Sequence, residues 1–217
     1  MIEFPSATSI GRRLPKEAFY KNLPLTKAIK DKFVSDIDRF VVENSLTKEN
    51  LRLSVDSEIK EILILSVFLK KENYDRKTLE AIARNNKHKL VFLLRFQDRV
   101  QLAIYYGKLF QSPWADETET ALSARGTSLD EIWNAFIEQI ALRDERAQNV
   151  ENLSMKERVA LQDRILRLEK DIEKLEAATW KEKQSKKRFE KFTQLQRWQK
   201  ELVELKCSQR LPISTNN

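Results

Sequence analysis

The spacing of apolar residues changes several times along the chain, and each change predicts a different element. From residue 25 to residue 44 apolar side chains recur every three or four positions, which predicts a helix with one buried face. Residues 50–55 alternate between apolar and polar and predict a half-buried strand, whereas residues 61–70 are apolar nearly throughout and predict a central strand. We expect Asp56 and Ser57 to form the turn between these strands, which would pair antiparallel because their connection is short.

The following segment predicts a short helix and then a hairpin. Asp75 is a suitable N-cap for this helix, and Asn85 or Asn86 can end it in a left-handed conformation. Residues 89–96 and 100–110 are apolar runs separated by a short polar connection, which predicts two long antiparallel strands.

A last helix is predicted to complete the first domain. Ser128 and Glu131 have the spacing of a capping box ahead of apolar residues at helical intervals, and this helix would end near Arg143. We therefore predict an α+β fold for residues 1–147, with a mostly antiparallel sheet of at least four strands and helices packed on it.

The rest of the chain has a different pattern. Over residues 148–207 two apolar seams alternate every three and four positions, the spacing of a coiled coil, and a polar run at residues 180–188 separates them. This pattern fits either a helical hairpin or one long helix that pairs with another chain. We favour the hairpin, because a long unpaired apolar seam would not stay in contact with water. Residues 208–217 are expected to be a flexible terminus.

The chain is basic, with a formal net charge of +7 and a pI near 9.4, which favours anionic partners. Residues 151–217 contain 16 lysines and arginines and 11 acidic residues, so most of the excess positive charge lies in the tail. The single Cys207 excludes an intramolecular disulfide and a cysteine zinc site, and no apolar run is long enough to span a bilayer. We expect a cytoplasmic protein with no cofactor, no metal and no membrane partner.

Two basic segments are candidates for binding nucleic acid, because lysine and arginine neutralise phosphates and aromatic rings stack on exposed bases. The first lies near the start of the chain and consists of Arg12, Arg13, Lys16, Tyr20 and Lys21. The second lies in the tail and consists of Lys183, Lys186, Lys187, Arg188 and Lys191. Each has a simpler alternative: the first would only dock on the sheet, and the second would only be a solvated helix surface.

Contacts with a protein partner are expected from Trp114, Phe189 and Trp198. Trp114 has the alternative role of covering the edge of the sheet.

Little in the sequence indicates catalysis. Asp56, Glu58 and Lys60 are the residue types of a metal-dependent nuclease, but they are crowded into a turn, and the strand that follows has no carboxylate in the required place. The chain has no second histidine, and its one cysteine is far from His88 in the sequence, so a solvated loop histidine is a simpler interpretation than a zinc ligand.

Several segments together resemble one bacterial family, the domain of unknown function forty-three ninety-one. They are "FPSATSIGRRLPKEAFYKN", "EIKEILILSVFLK", "KLVFLLRF", "LAIYYGKLFQSPW" and "WKEKQSKKRFEKF". The resemblance covers nearly the whole chain. After Gln184, however, this chain has Ser185, Lys186 and Lys187 where related sequences tend to have Phe-Asn-Arg.

Members of that family tend to be encoded beside helicases and DNA methyltransferases of restriction-like, phage-defence loci. The resemblance therefore implies an accessory role in such a system and no established chemistry. Together with the basic segments, it leads us to expect a non-catalytic subunit that uses its sheet domain to bind a helicase or methyltransferase partner and its basic surfaces to bind DNA. Two alternatives stay open: a nuclease with a degenerate site, and a scaffold that binds only protein and forms homo-oligomers through its tail.

Overall fold

The chain divides into two units, residues 1–141 and residues 142–217, and the described residues of the first unit contain seven strands in one sheet. The computed structural model describes residues 2, 4–16, 25–142 and 153–208. The strands are β1 (Ser9–Leu14), β2 (Ile37–Leu46), β3 (Ile62–Leu69), β4 (Lys89–Phe96), β5 (Arg99–Tyr106), β6 (Lys108–Gln111) and β7 (Ala115–Asp116). Their order across the sheet is β1-β2-β3-β4-β5-β6, and β7 pairs with β5.

The helices of the first unit connect and cover these strands. In the described part of this unit, the α-helices are α1 (Lys27–Asp36), α2 (Lys48–Leu51), α3 (Arg76–Arg84) and α4 (Leu129–Ala141). The strands pair antiparallel, except that β3 and β4 are parallel. Parallel neighbours need a long crossover connection, and helix α3 lies in the connection between β3 and β4. The predicted α+β fold with a mostly antiparallel sheet is therefore confirmed.

Strands β3, β4 and β5 are buried on both faces, since consecutive residues, which point to opposite sides of the sheet, are buried in each of them. On one face a single core forms between the strands and helices α1 and α3, and its fully buried rings include Phe33, Phe40 and Phe92. Helix α4 packs against β5 and β6 through an apolar face that includes Trp133 and Phe136. The central strands are therefore apolar on both sides, as the run at residues 61–70 predicted.

The helix predicted over residues 25–44 is wrong in its second half. Helix α1 ends at Asp36, and strand β2 follows at once. The pairing of β2 with β3 shifts register between Ile37 and Arg39 and again between Val42 and Asn44. Each irregularity adds a residue to the strand, so buried Ile37 and Phe40 stand three apart, a spacing that imitates a helix.

The strand predicted over residues 50–55 does not form. The side chain of Thr47 accepts a hydrogen bond from the amide of Asn50 and caps the short helix α2, which Arg52 ends in a left-handed conformation with φ of 53°. Val55, which the strand would have half-buried, is exposed. The antiparallel neighbour of β3 is consequently β2, and Asp56 and Ser57 do not join two strands.

The predicted hairpin is confirmed over β4 and β5, where Phe96 and Arg99 form the last pair before the turn. Gln97 adopts a φ of 53° and takes the place of the missing glycine. The second strand is shorter than predicted, because Gly107, with φ of 73°, turns the chain between β5 and β6.

The helix caps agree with the sequence in part. Asp75 caps α3 by accepting a hydrogen bond from the amide of Lys77 at 3.0 Å. The left-handed end predicted at Asn85 or Asn86 is wrong, since Asn85 has a φ of −101° and Asn86 does not have a positive φ. Ser128 accepts from the amide of Glu131, but the Glu131 carboxylate reaches back to Thr127, with its Oε2 2.7 Å from that amide nitrogen. The Glu131 carboxylate thus accepts from the residue before the N-cap, whereas in a regular capping box it would accept from the amide of the N-cap itself.

The second unit is a helical hairpin of α5 (Met155–Lys181) and α6 (Ser185–Ser208). Its seam buries Ile165 and Ile172 of α5 and Leu195 of α6. Ion pairs tie the two helices at their sides, including Arg164 to Glu201 at 2.6 Å. The tail therefore folds back on itself instead of forming one long helix.

Among the helices of the described residues, none combines the length and apolar character needed to cross a bilayer.

Candidate nucleic-acid interface

The chain reverses direction between α5 and α6 over three polar residues, Glu182 to Gln184. Glu182 takes up an extended conformation, and its amide still donates to the carbonyl of Thr179. Its carboxylate accepts from the amide of Gln184, so the reversal needs no glycine or proline. We call residues 180–189 the hairpin tip.

The hairpin tip concentrates exposed positive charge. Lys183 lies in the connection, and Lys186, Lys187 and Arg188 follow in the first turn of α6, which contains no acidic residue. All four side chains are exposed to solvent. In the described part of the chain, none of them forms an ion pair with a carboxylate. These cations are available to an anionic ligand.

Lys191, which the sequence groups with these cations, has a different environment. Its ammonium lies 2.8 Å from Oε2 of Glu182 and 3.5 Å from the carbonyl oxygen of Ala178. The Lys191 hydrogen bond, with a second from the Gln184 amide, lowers the pKa of the Glu182 carboxyl below its ordinary value. Lys191 therefore braces the turn of the hairpin.

Aromatic rings accompany the cations. Trp180, the penultimate residue of α5, is 83% exposed, while Phe189 in α6 is 71% exposed. With Phe192 and Arg188 they line a groove of about 560 Å³ beside the tip. Of these rings, only Phe189 is predicted from the sequence as a site residue. Trp180 and Phe192 are missed, although aromatic residues flank the lysine-rich run on both sides. Trp198 lies further along α6 and is half-buried.

The first basic segment lies on β1, at the edge of the sheet. Arg12 pairs with Val42 and Arg13 with Val41, so these two exposed side chains point to opposite faces. The ammonium of Lys16 donates a hydrogen bond to the carbonyl of Ile37. The remaining members of the segment, Tyr20 and Lys21, lie outside the described residues. Among the residues that the structure describes, fewer cations of this segment share one surface than at the tip.

Trp114 packs half-buried against the core between the sheet and helices α1 and α3. The guanidinium of Arg99 lies 5.8 Å from the centre of its ring. This position corresponds to the edge-covering role of Trp114.

The three nuclease-type residues lie in the irregular segment before β3 and make local contacts. Asp56 forms an ion pair with Lys48 at 2.6 Å, and Lys60 donates to the carbonyl of Ser57. The amide of Glu58 donates to the carboxylate of Asp130. Within the described ranges, no cluster of three histidine, cysteine or acidic side chains could hold a metal ion.

His88 has a partner that the sequence does not suggest. Its Nδ1 lies 2.9 Å from Oε2 of Glu61, and Oε1 of Glu61 accepts a hydrogen bond from Ser45. The parallel register of β3 and β4 pairs Ile62 with Lys89, and this places the two preceding residues side by side. Only the sheet pairing, which sequence spacing does not contain, brings them together.

The fold and the tip define an α+β sheet domain followed by a helical hairpin with a basic, aromatic turn. Residues 2–202 match the family described as Domain of unknown function (DUF4391), and the chain belongs to this family. Neither a curated protein nor a solved structure matches the chain.

Proposed function

We propose that this protein is a non-catalytic subunit that binds DNA through its hairpin tip. It acts beside a helicase or DNA methyltransferase in a bacterial restriction-like or phage-defence system, the role implied by the family resemblance. The sheet domain supplies the surface for the protein partner. The observation that carries the DNA-binding part is the position of Lys186, Lys187 and Arg188 in the first turn of α6.

Three cations in a first helical turn oppose the stability of the helix. The amino-terminal end of a helix carries a partial positive charge, so each cation there costs about 0.3–1 kcal/mol at the surface. The hairpin closes through its seam and through Lys191 and needs none of these three for folding. A bound phosphate reverses the sign of the interaction, because it meets both the cations and the free amides of the first turn. The arrangement therefore supports an anion-binding role.

The polymeric nature of the anion follows from the spread of the charges. Lys183 lies before the helix, and the following cations are separated by about 100° per residue around α6. One phosphate ion could not contact all of them, whereas a nucleic-acid backbone presents charges at regular intervals. We therefore propose DNA in preference to a small anion.

The test is the salt dependence of binding by the full chain. DNA affinity is measured by fluorescence anisotropy over a series of salt concentrations for the wild type and for the double variant K186E/K187E. Loss of two phosphate contacts would flatten the plot of log affinity against log salt concentration by about two. The matched control is R197E/K200E, which reverses two exposed cations on the same helix away from the tip.

The proposal is supported if K186E/K187E binds weakly with the flatter slope while the control keeps the wild-type slope. It is wrong if the wild type does not bind DNA at low salt. It is also wrong if both double variants lose affinity equally, because the effect would then reflect only net charge.

A further inference from the structure

The groove beside the hairpin tip contains more exposed aromatic surface than a phosphate contact needs. Trp180 of α5 lines it, Phe189 and Phe192 line it about one turn apart along α6, and Leu195 forms a buried part of the wall. Arg188 and Glu176 are the two charged residues that line it. From Ser185 to Gln199 the groove follows α6 for about 21 Å at 1.5 Å per residue.

Trp180 and Phe189 do not contribute to the packed seam of the hairpin. The seam is filled by Ile165, Ile172 and Leu195, all buried, while Trp180 and Phe189 lie in solvent within the described part of the chain. Exposed rings of this size, so close together, mark a binding surface. The cations around them identify the chemistry of the ligand as anionic.

Among nucleic acids, the rings distinguish a single strand from a duplex. In a duplex the faces of the bases are stacked on each other, so a protein ring cannot reach them without unstacking the helix. In a single strand every base offers a free face, and proteins that bind single strands combine a positive surface with rings for stacking. Trp180 and Phe189 border the lysines in that way.

We infer that the hairpin tip binds single-stranded nucleic acid, with bases stacked on Trp180 and Phe189 and the backbone held by Lys183, Lys186, Lys187 and Arg188. This inference rests on the proposed DNA-binding function and adds the strand form to it. The groove takes unpaired bases, and the cations take the phosphates between them.

The experiment compares the full-length wild type with W180A and F189A, using labelled oligothymidylate of about 15 nucleotides and a duplex of the same length. Each ring removed should weaken single-strand binding by about tenfold and leave duplex binding unchanged within about twofold. The control variant V203A removes apolar surface from another exposed position on α6 and should bind as the wild type. Circular dichroism verifies that each variant keeps its helices.

Tryptophan fluorescence gives a second readout. Stacking of a thymine on Trp180 should quench part of the emission, and W180F should lose this part although the hairpin is intact. The other tryptophans of the chain, Trp114, Trp133 and Trp198, remain as an internal reference.

The inference is overturned if W180A and F189A bind the single strand as tightly as the wild type while K186E/K187E weakens binding. In that case the proposed DNA-binding function stands and only the strand form is wrong. It is also overturned if light scattering shows that the ring variants change the mass of the protein while binding is kept, because the rings would then join two copies of the chain. If the wild type binds neither the oligothymidylate nor the duplex, the proposed DNA-binding function is wrong as well.

Discussion

The ammonium of Lys71 lies 2.7 Å from Oδ1 of Asp36, a carboxylate whose side chain is only 2% exposed. Asp36 is the last residue of α1, and it also accepts hydrogen bonds from the hydroxyl of Ser35 and the amide of Asp75. Its backbone carbonyl accepts from the amide of Lys70. One carboxylate thus joins the end of α1, the loop after β3 and the start of α3.

This contact predicts a loss of stability in acid. Burial alone would raise the pKa of Asp36, but hydrogen bonds from Lys71, Ser35 and the Asp75 amide outweigh it and lower the pKa below the ordinary value of 3.8. A carboxyl with a lowered folded-state pKa stabilises the protein above that ordinary value, and the contribution disappears as the pH falls through the folded-state pKa.

We expect D36N to lower the free energy of unfolding by about 2 kcal/mol at pH 7, because buried donors lose a charged acceptor. The difference from the wild type should shrink as the pH falls below about 4. Urea denaturation at several pH values measures it. A difference that stays constant down to the lowest pH would show that the charge of Asp36 contributes nothing.

A second prediction separates rings that support the fold from rings that serve binding. Phe92 is fully buried in the sheet core, so F92A should reduce stability by about 3–5 kcal/mol. Phe189 is mostly exposed, so F189A should change stability by less than about 0.5 kcal/mol. Thermal and urea denaturation compare the two. A large loss of stability in F189A would mean that its ring packs in the folded hairpin.

The ion pair of Glu182 and Lys191 leads to a third prediction, about the order of the hairpin tip. Each of the variants E182Q and K191M removes the ion pair and should speed the exchange of backbone amide hydrogens at residues 182–186 severalfold. The double variant should exchange no faster than the faster of the two single variants, because both remove the same ion pair. Hydrogen exchange detected by mass spectrometry measures this effect. Additive increases would show that the two side chains act independently.

The sequence predicts an element correctly where the spacing of its apolar residues matches the regular period of that element. The strands at residues 61–70 and 89–96 are found, because their apolar runs report burial on both faces. Strand β2 is missed, because its two register shifts turn a period of two into spacings of three. Residues 50–55 alternate without burying a face, and there the Thr47 cap decides the local structure.

The same contrast applies to the candidate site. The cations of the tip lie within six consecutive residues, 183–188, so the sequence alone identifies them. The groove is not visible in the sequence, since it depends on the reversal at Glu182 that brings Trp180 beside Phe189 and Phe192. Charge runs are local properties of the chain, whereas grooves and pairs such as Glu61 with His88 depend on tertiary structure.

The structure of strand β1 also affects the tendency of the protein to aggregate through the edge of its sheet. Its outer side is an open edge of the sheet in the described part of the chain, with backbone groups on which a strand of another molecule could add. An irregularity between Ser9 and Arg12 breaks the regular hydrogen-bonding pattern, and Gly11 adopts a φ of 61°. Arg12 and Arg13 place charge on both faces of the strand. This edge is a poor template for aggregation, so the two arginines contribute to colloidal stability independently of any ligand.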